Sequence, residues 1–135
     1  MKVFIDTAPL IYLIEGSTEF ADRVEVQLSQ WINADMILTS STLTLLELLV
    51  IPHKQKNNRL VQKYRALMQD LLSVPMVELN QTIAVSAAEI RGTYGFKTPD
   101  SIQLATALHS GSDIFYTNDL RLSKFKEITI LTVAG

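Results

Sequence analysis

The sequence predicts an α/β fold in which a parallel sheet carries helices on both faces. Five short apolar segments read as strands, helical segments separate them, and three of the strands leave through polar turns. Strands joined through helices pair in parallel by right-handed crossovers. Such sheets place their sites beyond the carboxyl ends of the strands, where strand order reverses.

Lys2-Val3-Phe4-Ile5 is the first strand and ends at Asp6-Thr7. Pro9 then opens a helix whose five successive apolar residues, Leu10 to Ile14, exceed one helical face, and Gly16 stops it. Ser17 or Thr18 caps a second helix, with Phe20, Val24, Leu28 and Trp31-Ile32 at helical spacing. Met36-Ile37-Leu38 is the second strand, followed by Thr39-Ser40-Ser41. A very apolar helix runs from Leu43 to Ile51, where Pro52 is expected to end it. Leu60, Tyr64, Leu67, Leu71 and Leu72 outline a long amphipathic helix broken by Pro75, and Met76 to Leu79 is the third strand. Thr82 to Tyr94 is helical through Ile83, Ala87, Ile90 and Tyr94, with Gly95 as its stop. Thr98 caps the next helix, Pro99 takes its first position and Asp100 its first turn, with Gly111 past its end. Ile114-Phe115-Tyr116 reads as a strand buried on both faces and runs into Thr117-Asn118-Asp119. A short helical turn from Leu120 to Phe125 and a fifth strand, Ile128 to Leu131, complete the pattern.

At 135 residues the chain reads as one domain, residues 1–135, large enough to bury a core without staples. No run approaches the roughly 20 apolar residues of a membrane helix, and Asp6 interrupts the apolar start, so no signal peptide is read. A cytoplasmic location is the expectation. The absence of cysteine removes disulfides, thiol catalysis and cysteine-ligated metal. A net charge of −2 argues against bulk attraction to nucleic acid. It leaves room for a local basic strip, Lys54, Lys56, Arg59, Lys63 and Arg65, interleaved with Tyr64 and edged by His53. A solvated helix face is the ordinary use of such a strip.

Four carboxylates carry the chemical signal. Asp6 and Asp119 follow strands at the carboxyl edge of the sheet, where each also suits a helix cap. Asp100 stands in a helix's first turn, where the dipole favours it. Glu47 is the one charge in the run Leu43 to Ile51, and burying it there costs several kcal/mol unless a cation compensates. Basic partners for these acids are not evident nearby in sequence. Converging carboxylates raise one another's pKa values, and a divalent cation is the simplest relief. All-oxygen ligation suits Mg²⁺ or Mn²⁺ rather than zinc, since His53 and His109 stand isolated.

VFIDTAPLIYLIEG at the start, LTLLEL in the middle, TPDSIQLATAL and the final YTNDLRL occur in this order along nearly the whole chain. In these motifs the chain resembles the PIN-domain family, particularly its VapC-type toxins of prokaryotic toxin–antitoxin pairs. The resemblance implies a three-layer α/β/α sandwich with a five-stranded parallel sheet in the order 3-2-1-4-5. It also implies a metal-dependent ribonuclease whose acidic quartet falls on Asp6, Glu47, Asp100 and Asp119, with Thr117 beside the last acid and Thr7 after the first. Asn118 is assigned to the turn. RNA and a cognate antitoxin are the implied partners, and the surplus apolar residues of the Leu10–Ile14 and Leu43–Ile51 helices also suit a homodimer. The alternative is a non-catalytic interaction module of the same fold. A phosphoacceptor receiver is disfavoured because Asp6 is followed by Thr7 rather than a second acid. A dehalogenase-type phosphatase would need an aspartate where Ala8 stands.

Overall fold

β1 (Lys2–Ile5) occupies the middle of the sheet because its side chains are apolar on both faces. Val3 and Ile5 enter one core and Phe4 the other, as the two-residue period of a strand dictates. The computed structural model of the chain describes residues 1–16 and 18–135. After β1 come α1 (Thr7–Glu15), α2 (Thr18–Asn33), β2 (Ile37–Thr39), α3 (Thr42–Lys54) and α4 (Asn58–Leu71). They are followed by α5 (Gln81–Tyr94), α6 (Thr98–His109), β3 (Ile114–Thr117), a 3₁₀ turn (Leu120–Lys124) and β4 (Thr129–Thr132). Of the two predicted caps, Ser17 lies outside the described residues and Thr18 is already the first residue of α2.

The sheet is parallel throughout, in the order β2-β1-β3-β4. Leu10 of α1, Val24, Leu28 and Trp31 of α2, Leu48 of α3, and Tyr64 and Met68 of α4 pack with Val3, Ile5 and Tyr116 on one face. Ile83, Ala87 and Ile90 of α5, with Leu104, Ala105 and Ala107 of α6, pack with Phe4 and Phe115 on the other. Helices therefore cover both faces, as the strand-helix alternation predicts. Reversal of strand order around β1 brings the ends of β1 and β3 together, with Asp6 accompanying one and Thr117 the other.

The expected five-stranded sheet has four strands among the described residues. The predicted third strand, Met76 to Leu79, contributes one isolated bridge, Ser41 to Val77. Val77 exhausts the pairing by donating to the Ser40 carbonyl and accepting from Thr42 N–H. Past Ser41 the partner chain is no longer extended, because Ser41 caps α3 through Thr44 N–H, and Pro75 has no N–H to add upstream. The remaining strands keep the relative order expected of them.

Two helix ends also differ from expectation. Pro52 does not end α3; it is buried inside the helix, and Gln55 N–H still reaches the Ile51 carbonyl and Asn57 N–H the Pro52 carbonyl. Thr98 does not cap α6, since it is already helical and Lys97 is the capping position without a side-chain bond. Asp100 remains in the first turn. Of the two surplus apolar helices, α1 places Leu10 and its neighbours against the core, whereas α3 leaves Leu46, Val50 and Ile51 exposed. No helix among the described residues is long and apolar enough to cross a membrane.

Two glycines of the α5 segment should respond oppositely to alanine. Gly92 lies within the helix and a Cβ there meets nothing within 4 Å, so Gly92→Ala should stabilise by about 0.5–1 kcal/mol. Gly95 closes the helix at φ +75, also in open space, so Gly95→Ala should cost about 1 kcal/mol from backbone strain alone. Thermal melts of the two variants check both signs.

Candidate active site

Asp6 follows β1 directly, and its backbone N–H donates to the Tyr116 carbonyl at 2.9 Å, extending the β1–β3 pairing by one bond. Its carboxylate is then gripped from two elements. Oδ1 accepts the Thr7 N–H at 2.8 Å, capping α1, and Oδ2 accepts the Thr117 hydroxyl at 2.8 Å from the end of β3. Burial raises the Asp6 carboxyl to about 6 despite these two bonds, and the charges of Glu47 and Asp100 add to the rise. Capping and charge clustering thus coincide in one side chain.

Glu47 is partly buried on α3, and its Oε1 accepts the Thr7 hydroxyl at 2.7 Å. Thr7 therefore gives its N–H to one acid and its O–H to another. Asp100, partly buried at the start of α6, is raised by burial and then by the charge of Asp119, with Arg121 and Lys97 opposing. Asp6 is thus the acid that feels both of the others, the charges of Glu47 and Asp100 each adding to its rise.

Asp119 is arranged differently. It caps the 3₁₀ turn through Arg121 N–H, and the Arg121 guanidinium grips it with Nε at 3.0 Å and a terminal nitrogen at 2.6 Å. The Arg121 bonds hold its carboxyl below the usual range. The expectation that these acids lack nearby basic partners therefore fails at Asp119, whose partner is two residues away. That pair is exposed, with 64% of the Arg121 side chain open to solvent, so water and salt screen it and it adds little to stability. Thr117 connects the two ends of the acidic row, since its hydroxyl donates to Asp6 and accepts the Asp119 N–H at 3.1 Å.

Among the described residues, no three acidic or imidazole side chains are gathered into a preformed metal group. The donors nevertheless suit a hard cation in kind. They are carboxylate oxygens of partly buried acids, and neither Asp6, Glu47 nor Asp100 has a salt-bridge partner among the described residues.

The family model for the PIN domain matches residues 3–128. The chain belongs to the PIN domain family. Solved structures with a similar fold include VapBC2 from Rickettsia felis bound to a promoter DNA fragment, at 14% identity and TM-score 0.81, with 98% of each chain covered. A toxin–antitoxin complex from Klebsiella pneumoniae aligns at 24% identity and TM-score 0.74, covering 97% of each chain. VapC20 from Mycobacterium tuberculosis, described as a sarcin-ricin loop cleaving toxin, aligns at 16% identity and TM-score 0.72 over 94% of this chain and 98% of its own. No curated protein sequence matches significantly.

This PIN domain also contains a buried polar relay that sequence reading did not find. Ser41 Oγ donates to Gln103 Oε1 at 2.5 Å, and Gln103 Nε2 donates to Thr44 Oγ1 at 2.7 Å. Gln103 lies one turn after Asp100, and Thr44 one turn before Glu47. The relay therefore sets α6 against α3 at the level of the two acids. Ser40 adds a bond to the Ile5 carbonyl at 2.7 Å, beside Asp6. The available signal was a glutamine directly before the apolar and small run Leu104-Ala105. Asn118, assigned to the turn, also donates to the Tyr12 hydroxyl at 2.8 Å and ties the turn to α1.

Two outcomes follow for this PIN domain. Gln103→Leu removes two buried hydrogen bonds while Ser41 and Thr44 keep their bonds to each other, and should destabilise by about 1–2 kcal/mol in chemical denaturation. The second concerns pH. The Asp6 carboxyl titrates at about 6 when folded, against an ordinary value of 3.8. Between these values the folded chain keeps a proton that the unfolded chain has released, so stability falls as pH rises and levels off above the folded value. Asp6→Asn lacks that fall. Melts in EDTA from about pH 3.5 to about pH 8 should show the parent losing roughly 2–3 kcal/mol more than the variant across the window; parallel curves would contradict a raised Asp6.

Proposed function

We propose that this chain is a divalent-metal-dependent ribonuclease that hydrolyses RNA phosphodiester bonds, and the toxin of a toxin–antitoxin pair. The observation that carries this reading is the partly buried Asp6 carboxylate, held at the ends of β1 and β3 by Thr7 and Thr117 and flanked by the charges of Glu47 and Asp100. A site that accumulates negative charge on oxygen donors suits Mg²⁺ or Mn²⁺. Asp6, Glu47 and Asp100 would hold the ion, and Asp119 would join them or orient water. When bound, such an ion supplies an acidified water and charge stabilisation for the leaving oxygen.

The chain's own groups prepare this site. Thr117 and the Thr7 N–H fix both oxygens of Asp6, and the Thr7 hydroxyl steadies Glu47. Arg121 is exposed, so exchanging Asp119 for a substrate phosphate costs little, and a guanidinium suits phosphate oxygens in pairs. The fold shared with solved toxin–antitoxin complexes supports the biological role. The exposed Leu46, Val50 and Ile51 offer an antitoxin apolar surface to cover, and covering it would also shut off the approach to the acids. A cytoplasmic site of action agrees with an RNA target.

The competing reading is a PIN-fold interaction module without catalysis, favoured by the lack of a preformed three-acid group among the described residues. Incubation of the purified protein with structured cellular RNAs separates the two. The ribonuclease reading expects defined cleavage in Mg²⁺, none in EDTA, and background levels for Asp6→Asn and Asp100→Asn. Mg²⁺ should raise the melting temperature of the parent more than that of either variant, because the ion binds the folded form. A Mg²⁺-dependent melting shift without cleavage of any RNA would instead support the module.

A further inference from the structure

Residues 48–69 carry five cations and no acid, so the other seven cations share the rest of the chain with all fourteen acids. In the fold this stretch comprises the end of α3, the turn after it and most of α4. Lys54, Lys56, Arg59 and Lys63 are exposed there, and none joins a salt bridge among the described residues. Arg59 and Lys63 are one turn apart on the same side of α4. Lys56 sits at φ 53, a left-handed conformation that turns the chain between the two helices.

α3 connects this basic tip to the acidic site. Glu47 and Lys54 are seven residues apart on one helix, about 10 Å along its axis and within about 20° of the same face. Val50 and Ile51 lie between them, 41% and 56% exposed, so the path is not covered by the chain itself. An occupant reaching both ends must be anionic at the tip and bring a phosphodiester to the acids. A polynucleotide repeats its charge every few ångströms and meets both demands.

We propose that a single RNA strand lies along this face of α3, with its phosphates on Lys54, Lys56, Arg59 and Lys63. At about 3.4 Å per stacked nucleotide, the tip engages phosphates about three nucleotides from the bond at the acidic site. The tip supplies the attraction that a chain of net charge −2 lacks as a whole. The position of the cleaved bond rests on the ribonuclease reading; the binding surface does not.

The test combines Lys54→Ala, Lys56→Ala, Arg59→Ala and Lys63→Ala in one exposed-surface variant. Binding of a fluorescein-labelled single-stranded RNA of about twelve nucleotides is measured in EDTA, where no cleavage competes. The variant should bind at least about tenfold more weakly at low salt, and its salt dependence should flatten by about 0.7 in log–log slope for each phosphate it no longer neutralises. In Mg²⁺ its KM for that RNA should rise, with kcat and turnover of a dinucleotide unchanged. Equal affinity and salt slope for the two proteins would overturn the surface. Tighter binding of polyglutamate than of RNA through the same four residues would overturn RNA as the occupant. If neither protein cleaves RNA but binding still falls, the surface stands and the ribonuclease reading fails.

Discussion

The Asp6 N–H bond to the Tyr116 carbonyl is the constraint on which the site depends. It continues the β1–β3 ladder one residue past β1 and so fixes the Asp6 backbone between the two strand ends. Once the backbone is fixed, Thr7 and Thr117 each take one of the two carboxylate oxygens. The site is thereby built where a strand becomes a helix, and its rigidity derives from sheet pairing more than from the loops around it. The cost is a carboxylate held where its charge is disfavoured. The rest of the fold supplies the packing that maintains it, with Val3, Phe4 and Ile5 all fully buried immediately before it.

The acids arrive from four separate elements, so their mutual placement depends on how helices meet. Gln103 settles one such meeting by bonding to two residues of the α3 start. Buried hydroxyl and amide groups are directional, unlike leucine contacts, and they select one sliding position of α6 against α3. Thr7 does comparable work between α1 and α3 by joining the Glu47 carboxylate. Apolar packing on the two faces provides stability; these few polar contacts provide alignment.

Much of this was legible in the sequence. Strands and helices alternated clearly because β1 and β3 are continuously apolar and the helices are bounded by caps and glycines. Glu47 stood out as a lone charge among leucines, and the structure places it beside Thr7 and near Asp6. The predicted third strand was legible as β-prone but not as unpaired, because its failure comes from the partner chain turning helical at Ser41, a tertiary circumstance. Pro52 looked like a stop because local rules count one missing N–H, whereas burial and the following bonds keep α3 wound. The pairing of Asp119 with Arg121 was within reach, since the two are two residues apart, but helical spacing rules do not bring such neighbours together and the 3₁₀ turn does. The Gln103 relay depended on a contact spanning about sixty residues of sequence, which no local pattern exposes.

The segment after α4 has an effect on how this molecule meets others. Its Ser73 N–H and hydroxyl take the outward-facing carbonyl and N–H of Leu38, and Val77 takes those of Ser40 and Thr42. The free edge of β2 is thus closed along its length by a strip too irregular, with Pro75 in its middle, to serve as a template for a further strand. A partner cannot join this side of the sheet by extending it. Recognition on this flank must proceed through side chains, on helices whose exposed residues can differ from one protein of this fold to the next while the sheet stays the same.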